Sequence, residues 1–241
     1  MNRNLVKNKE IKDFFDGKIV FDVGAGMGLT TKIFTSLGSK VIADTCYPAK
    51  YGQNFSDAIL INTYISDHDG GEDQYISNAP LGYHQMPSKT LDTLIVEYGT
   101  PIYIKISTDG YEDVVLRGLT HAVGCISAGY TKGRKDCFWG VLRSIERLQY
   151  KKFIMVNCGK DIGGKFTIGY LPPNISYCRK LFKEMHLNKH YRGDLFAFNP
   201  EIFPENVAIL LSDYYSGRKV TNAKKNMVNY SSLKTRRLLT V

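Results

Sequence analysis

The sequence predicts an α/β protein built on a Rossmann-like, mostly parallel sheet with helices on both faces. Three observations point there. Short apolar runs alternate along the chain with stretches of helical periodicity. The run KIVFDV leads straight into a glycine-rich turn and then LTTKIFTSLG, which reads as buried strand, tight turn and helix start. At 241 residues with 43% hydrophobic and 23% charged content, the chain has enough apolar side chain for one sizeable core.

The elements follow in order. KIVFDV (18–23) is the first strand, and Met27 to Leu37 is a helix closed by Gly38. KVIAD (40–44) is the second strand and AILI (58–61) the third, with TYIS (63–66) continuing near the sheet edge. EDQYIS pairs locally as an extra strand. Ser88 caps a helix through SKTLDTLIVEYG (88–99), ended by Gly99. PIYIKIS is the fourth strand, GYEDVVLRGL a helix, and AVGCIS (122–127) the fifth strand. Asp136 opens a helix with Phe138, Val141, Leu142, Ile145 and Leu148 on one face. KKFIMVN (151–157) is the sixth strand, Ile175 to Leu187 a helix, and DLFAFN (194–199) the seventh and last strand.

The glycine turn narrows the ligand. Gly24, Gly26 and Gly28 alternate directly behind the acid Asp22. A dinucleotide turn has the spacing G-x-G-x-x-G, and its third glycine position is Leu29 here. An acid ahead of G-x-G-x-G suits a cofactor without a pyrophosphate, such as S-adenosylmethionine (SAM). Glycines let its aminoacyl part approach the backbone, and acids take its amine and ribose hydroxyls. Ligands of open α/β sheets sit at the carboxyl ends of the strands. That rule selects Asp22, Gly24, Ala25, Gly26 and Gly28 after the first strand, and Asp44, Thr45 and Tyr47 after the second. Ser66 and Asp67 follow the third, facing an adenine edge. Ser107, Thr108, Asp109, Gly110 and Glu112 follow the fourth.

Composition sets the remaining bounds. The formal charge is +9, but the segment from Arg218 to Val241 holds seven Lys/Arg and no acid, which leaves +2 for the rest. This basic tail is either a solvated end or the grip on an anionic partner. The expected organisation is an N-terminal extension (1–17), a catalytic domain (18–217) and the tail (218–241). No apolar run approaches the 18 residues of a membrane span, and the N-terminus lacks a signal-peptide core. The five cysteines are scattered without C-x-x-C spacing, which suits free thiols in a reducing, cytoplasmic setting and gives no zinc site. No metal is expected, and the oligomeric state is not legible.

Three blocks, IVFDVGAGMG with KVIAD, ISDHDG followed by PSKTLDTLI, and YIKISTDGYEDVVLRGL, together resemble the FkbM family of SAM-dependent methyltransferases over roughly residues 18–158. The third block is similar to that family's IKIDVEG-x-E-x-x-VL-x-G. The resemblance implies the class I SAM-dependent methyltransferase fold with a seven-stranded sheet, SAM as cofactor, and methyl transfer to a hydroxyl of a sugar or glycan. The chain departs from the pattern at Ser107, which replaces an acid, at Asp109, which replaces a glutamate, and at Ile126-Ser127-Ala128-Gly129, where the family often reads Ile-Ser-Phe-Glu.

Methyl transfer requires an aligned nucleophile and a group that removes its proton. Asp109 is the leading candidate base. His84, in GYHQMP, is the second, placed in a loop on the acceptor side. Lys105 either snorkels or pairs with Glu112. Two other functions stand beside this one: a nucleic-acid (RNA) methyltransferase using the basic tail, and a SAM-binding scaffold reduced in catalysis. An NAD-dependent oxidoreductase is disfavoured by Leu29.

Overall fold

The computed structural model describes residues 5–44, 54–76, 83–131, 134–157, 169–171 and 192–215. The main sheet has eight strands: β1 (Ile19–Val23), β2 (Lys40–Asp44), β3 (Ala58–Ile61), β7 (Tyr103–Ile106), β8 (Cys125–Thr131), β9 (Lys152–Asn157), β10 (Gly169–Leu171) and β11 (Arg192–Phe198). Their spatial order is β10-β9-β11-β8-β7-β1-β2-β3. The run β3-β2-β1-β7-β8 is parallel throughout. β11 inserts antiparallel between β8 and β9, and β10 adds an antiparallel edge. A parallel sheet whose order reverses at β1, with one late strand inserted backwards near the far edge, is the class I methyltransferase fold. The expected seven strands are all present, and β10 is the addition.

The period-two alternation of each strand divides the core into two layers. Phe21, Val23, Ile104, Ile106, Ile126 and Ala128 face α3 (Leu91–Tyr98), α4 (Glu112–Arg117) and α5 (Lys135–Arg147). Val20, Val41, Tyr103, Cys125, Phe196 and Phe198 face α1 (Lys9–Phe15), α2 (Leu29–Ser36) and α6 (Glu205–Tyr215). The segment read as an N-terminal extension is part of this second layer. Leu5, Ile11 and Phe15 are almost fully buried, and the Phe15 ring stands edge-on to Phe34 at 4.9 Å. Helix α6, beyond the last element read from the sequence, buries Val207, Ala208 and Leu211 on the same face.

A second, three-stranded sheet combines β4 (Tyr64–Ile65), β5 (Glu72–Ile76) and β6 (Tyr83–Lys89) in the order β4-β6-β5. The run TYIS therefore leaves the main sheet and pairs with β6. This also moves the start of α3. Ser88 is a strand residue opposite Tyr64, and Thr90 is the cap, its Oγ1 accepting from the Thr93 amide at 3.1 Å. The fifth strand of the sequence reading is displaced as well: β8 continues through Ala128-Gly129-Tyr130 to Thr131, because β11 pairs along that length. The helix expected at 175–187 and the basic tail lie outside the described residues. Among the described residues, no helix is long and apolar enough to cross a membrane.

Candidate active site

The glycine turn sits between β1 and α2, and its three glycines do different things. All three have positive φ: 70° at Gly24, 54° at Gly26 and 73° at Gly28. A Cβ on Gly24 would lie 2.3 Å from the Ser107 carbonyl oxygen, so that glycine lets the turn touch the end of β7. A Cβ on Gly28 would lie 2.7 Å from the Phe55 ring, so that glycine seats the start of α2 under Phe55. At Gly26, among the described residues, nothing lies nearer to a Cβ position than the Gly24 carbonyl oxygen at 3.9 Å. Two of the glycines are thus explained by packing, and Gly26 is where a ligand could meet the backbone. Ala25, half-buried between them, donates its amide to the Asp44 carbonyl at 2.7 Å.

Two acids hold this turn. Asp22 is buried and accepts from Thr31 Oγ1 at 2.6 Å, which places it beneath the turn as a brace on α2. Burial raises its pKa to about 6, against the opposing influence of Thr31 and Lys105. Half-buried Asp44, at the end of β2, accepts the Gly24 amide through Oδ2 at 3.1 Å. Burial, with a smaller contribution from the neighbouring Asp22 charge, raises its pKa to about 7. Thr45 and Tyr47 lie outside the described residues. Two residues that the sequence reading passed over clamp the turn from above: Asn54 Nδ2 donates to the Met27 carbonyl at 2.7 Å, and Phe55 packs on Gly28. Neither carries a motif signal.

The loop after β7 is the second half of the site. Ser107 and Asp109 are exposed, and Asp109 has φ of 52°, uncommon for a residue with a Cβ. The buried Glu112 carboxylate enforces that geometry. It accepts the Thr108 amide at 3.1 Å through one oxygen and the Gly110 amide at 3.0 Å through the other, and Cys137 Sγ also donates to it. Burial raises the Glu112 pKa. Gly129 gives the carboxylate room, since a Cβ there would lie 3.3 Å from Glu112 Oε1. Arg134 closes the loop by donating to the Gly110 carbonyl at 2.9 Å. Among the described residues, Thr108 Oγ1 is a buried side-chain oxygen without a hydrogen-bond partner. It belongs to the side chain that packs against Gly24.

The other candidates are placed differently. Lys105 does not pair with Glu112: its Nζ binds Asp194 Oδ1 at 2.6 Å inside the second core layer, 5.5 Å from the Tyr215 ring centre. The register explains this, because β7 alternation turns Lys105 to the opposite face from α4 and toward Asp22, Ser127 and α6. Ser66 is buried and bound to β6 through its amide, and its carbonyl packs on Gly118. Asp67 pairs with Arg117 at 2.9 Å, and His68 and Arg117 hold its pKa low. His84 is a strand residue opposite Tyr75 in the small sheet, not a loop residue. Among the described residues, no cluster of His, Cys, Asp or Glu could hold a metal ion, and Cys125 and Cys137 are free thiols.

No family model matches this chain, and no curated protein does. Solved structures of similar architecture include a precorrin-6Y C5,15-methyltransferase from Geobacter metallireducens, with 10% identity, TM-score 0.43, and 82% of this chain and 93% of that one covered. An rRNA methylase from Streptococcus thermophilus shares 15% identity at TM-score 0.42, covering 78% and 93%. A SAM-dependent O-methyltransferase from Thermotoga maritima shares 10% identity at TM-score 0.40, covering 79% and 62%.

Proposed function

We propose that this protein is a SAM-dependent O-methyltransferase whose acceptor is a hydroxyl of a sugar or glycan. The observation that carries the reading is the open turn at Gly26, in contact through Gly24 with a loop that holds Asp109 outward. The fit to the cofactor rests on three features of this chain. The turn leaves room where a Gly26 Cβ would stand, Thr108 Oγ1 is, among the described residues, a buried oxygen without a hydrogen-bond partner, and Asp44 offers a carboxyl group at the end of β2. The residues that would hold SAM are the turn Gly24 to Gly28, Asp44 and Thr108. Bound there, the cofactor supplies a methyl group already activated on a sulfonium. The resemblance of the three sequence blocks to the FkbM family supports the same reading and adds the sugar hydroxyl.

The protein's own part is alignment and proton removal. Asp109 is exposed at the strand end next to the turn, so its carboxylate can accept the proton of an acceptor hydroxyl. The residues on either side of it are pinned, Thr108 and Gly110 through their amides by Glu112 and Gly110 through its carbonyl by Arg134, which fixes the backbone from which its carboxylate projects. The experiment is transfer of labelled methyl from SAM to a panel of glycosides, with RNA as the competing acceptor. Label in the glycosides supports the reading. Label in RNA alone, or in neither while SAM binds, contradicts it.

A further inference from the structure

The loop that carries Asp109 also presents an aromatic ring. Tyr111 is 41% exposed, a large value for a tyrosine beside a strand end. Its backbone is fixed: it precedes α4, and its carbonyl accepts the Val114 and Val115 amides, both at 3.1 Å. Its ring is fixed as well. The Arg134 guanidinium lies 5.2 Å from the ring centre while donating to the Gly110 carbonyl. The ring therefore has a cation over it, and the residue keeps 41% of its surface in solvent.

Its place in the fold matters. The glycine turn lies on the β1 side of β7, and Arg134 comes from the β8–α5 connection on the other side. Tyr111 thus belongs to the half of the strand-end edge that the glycine turn leaves free. A rigid aromatic face two residues from an exposed carboxylate is suited to carbohydrate. The ring covers the C–H face of a pyranose, and the carboxylate accepts its hydroxyl hydrogens. Exposed Asp109 and, in the first turn of α5, exposed Asp136 put negative charge on this edge beside the exposed cations Arg134 and Lys135, so a phosphate backbone is the competing occupant that the test must separate.

We propose that Tyr111 is the acceptor platform of this site, on which a pyranose ring stacks so that one of its hydroxyls reaches Asp109. This rests on the methyltransferase reading above and names the residue that selects the acceptor. The test is saturation-transfer NMR on the full chain with methyl glucopyranoside, mannopyranoside and rhamnopyranoside. A single-stranded oligouridylate serves as the competing probe, and the demethylated cofactor is titrated separately by calorimetry. Wild type should saturate the C–H protons of at least one glycoside. Tyr111→Ala should weaken that glycoside about tenfold, and Tyr111→Phe should keep it, because the ring and not the hydroxyl does the stacking. Cofactor affinity should be the same in all three proteins. Equal glycoside binding by Tyr111→Ala, no glycoside binding by wild type, or Tyr111-dependent binding of the oligouridylate alone would each overturn the platform. Failure of the cofactor to bind wild type would overturn the methyltransferase reading instead, and the glycoside arm does not depend on it.

Discussion

At the scale of single residues, the site separates groups that hold from groups that act. Asp22 holds. Its folded pKa of about 6 exceeds the ordinary 3.8, so the folded state keeps a proton that the unfolded chain releases. Stability therefore falls as pH rises from about 4 to about 6 and stays reduced above that, by up to about 3 kcal/mol. Asp22→Asn removes this loss. In thermal melts its stability relative to wild type should climb between pH 4 and 6 and then level off. A difference that is constant across that range would place the charge of Asp22 in solvent. Asp109 acts. Asn tolerates positive φ, so Asp109→Asn keeps the loop and deletes the base. It should lower kcat by about 10²–10⁴-fold and leave SAM affinity unchanged. Normal turnover would move the base elsewhere. The place of Asp109, exposed just after β7, was legible in the sequence because it follows an apolar strand in a motif. The brace role of Asp22 was not, since a buried and a ligand-facing acid look alike in a string.

At the scale of elements, the β7–α4 corner is a built device. Glu112 satisfies two amides and a thiol at once, so Glu112→Ala strands all three. Amide exchange at Thr108 and Gly110 should accelerate, and the protein should lose about 2 kcal/mol of stability. Unchanged exchange at both amides would mean that the loop holds itself. The sequence marks Glu112 as an acid after the fourth strand and as the glutamate that matches the third block, without showing what it binds. Its partners come from α5 and from the loop's own backbone, and neither leaves a pattern in the chain. Lys105 shows the converse. Its neighbour in the sequence motif is Glu112, but strand alternation turns it to the other face and to Asp194, 89 residues away. The strand–turn–helix unit was readable because periodicity is local. The reversed β11, the edge strand β10 and the small sheet were not, because pairing is between distant segments.

At the scale of the whole molecule, the glycine turn, the β7 loop and the proposed acceptor edge all come from the described fold, and the basic segment from Arg218 onward lies outside the described residues. Removing residues 218–241 should leave SAM affinity intact. If the tail grips an anionic partner, the truncation should weaken that partner and flatten its salt dependence together. Loss of SAM binding on truncation would make the segment part of the site. The central proposal is that SAM occupies the space beside Gly26 in the glycine turn. The most direct measurement is calorimetric titration of SAM into wild type and Gly26→Val, with Gly17→Val as the control for backbone strain. Gly17 has φ of 66° and, among the described residues, no atom within 4 Å of its Cβ position, so its variant carries the strain without blocking the site. The expected result is saturable binding to wild type and to Gly17→Val, and none to Gly26→Val at comparable melting temperature. Equal binding by all three proteins, or no binding by wild type, would contradict the account.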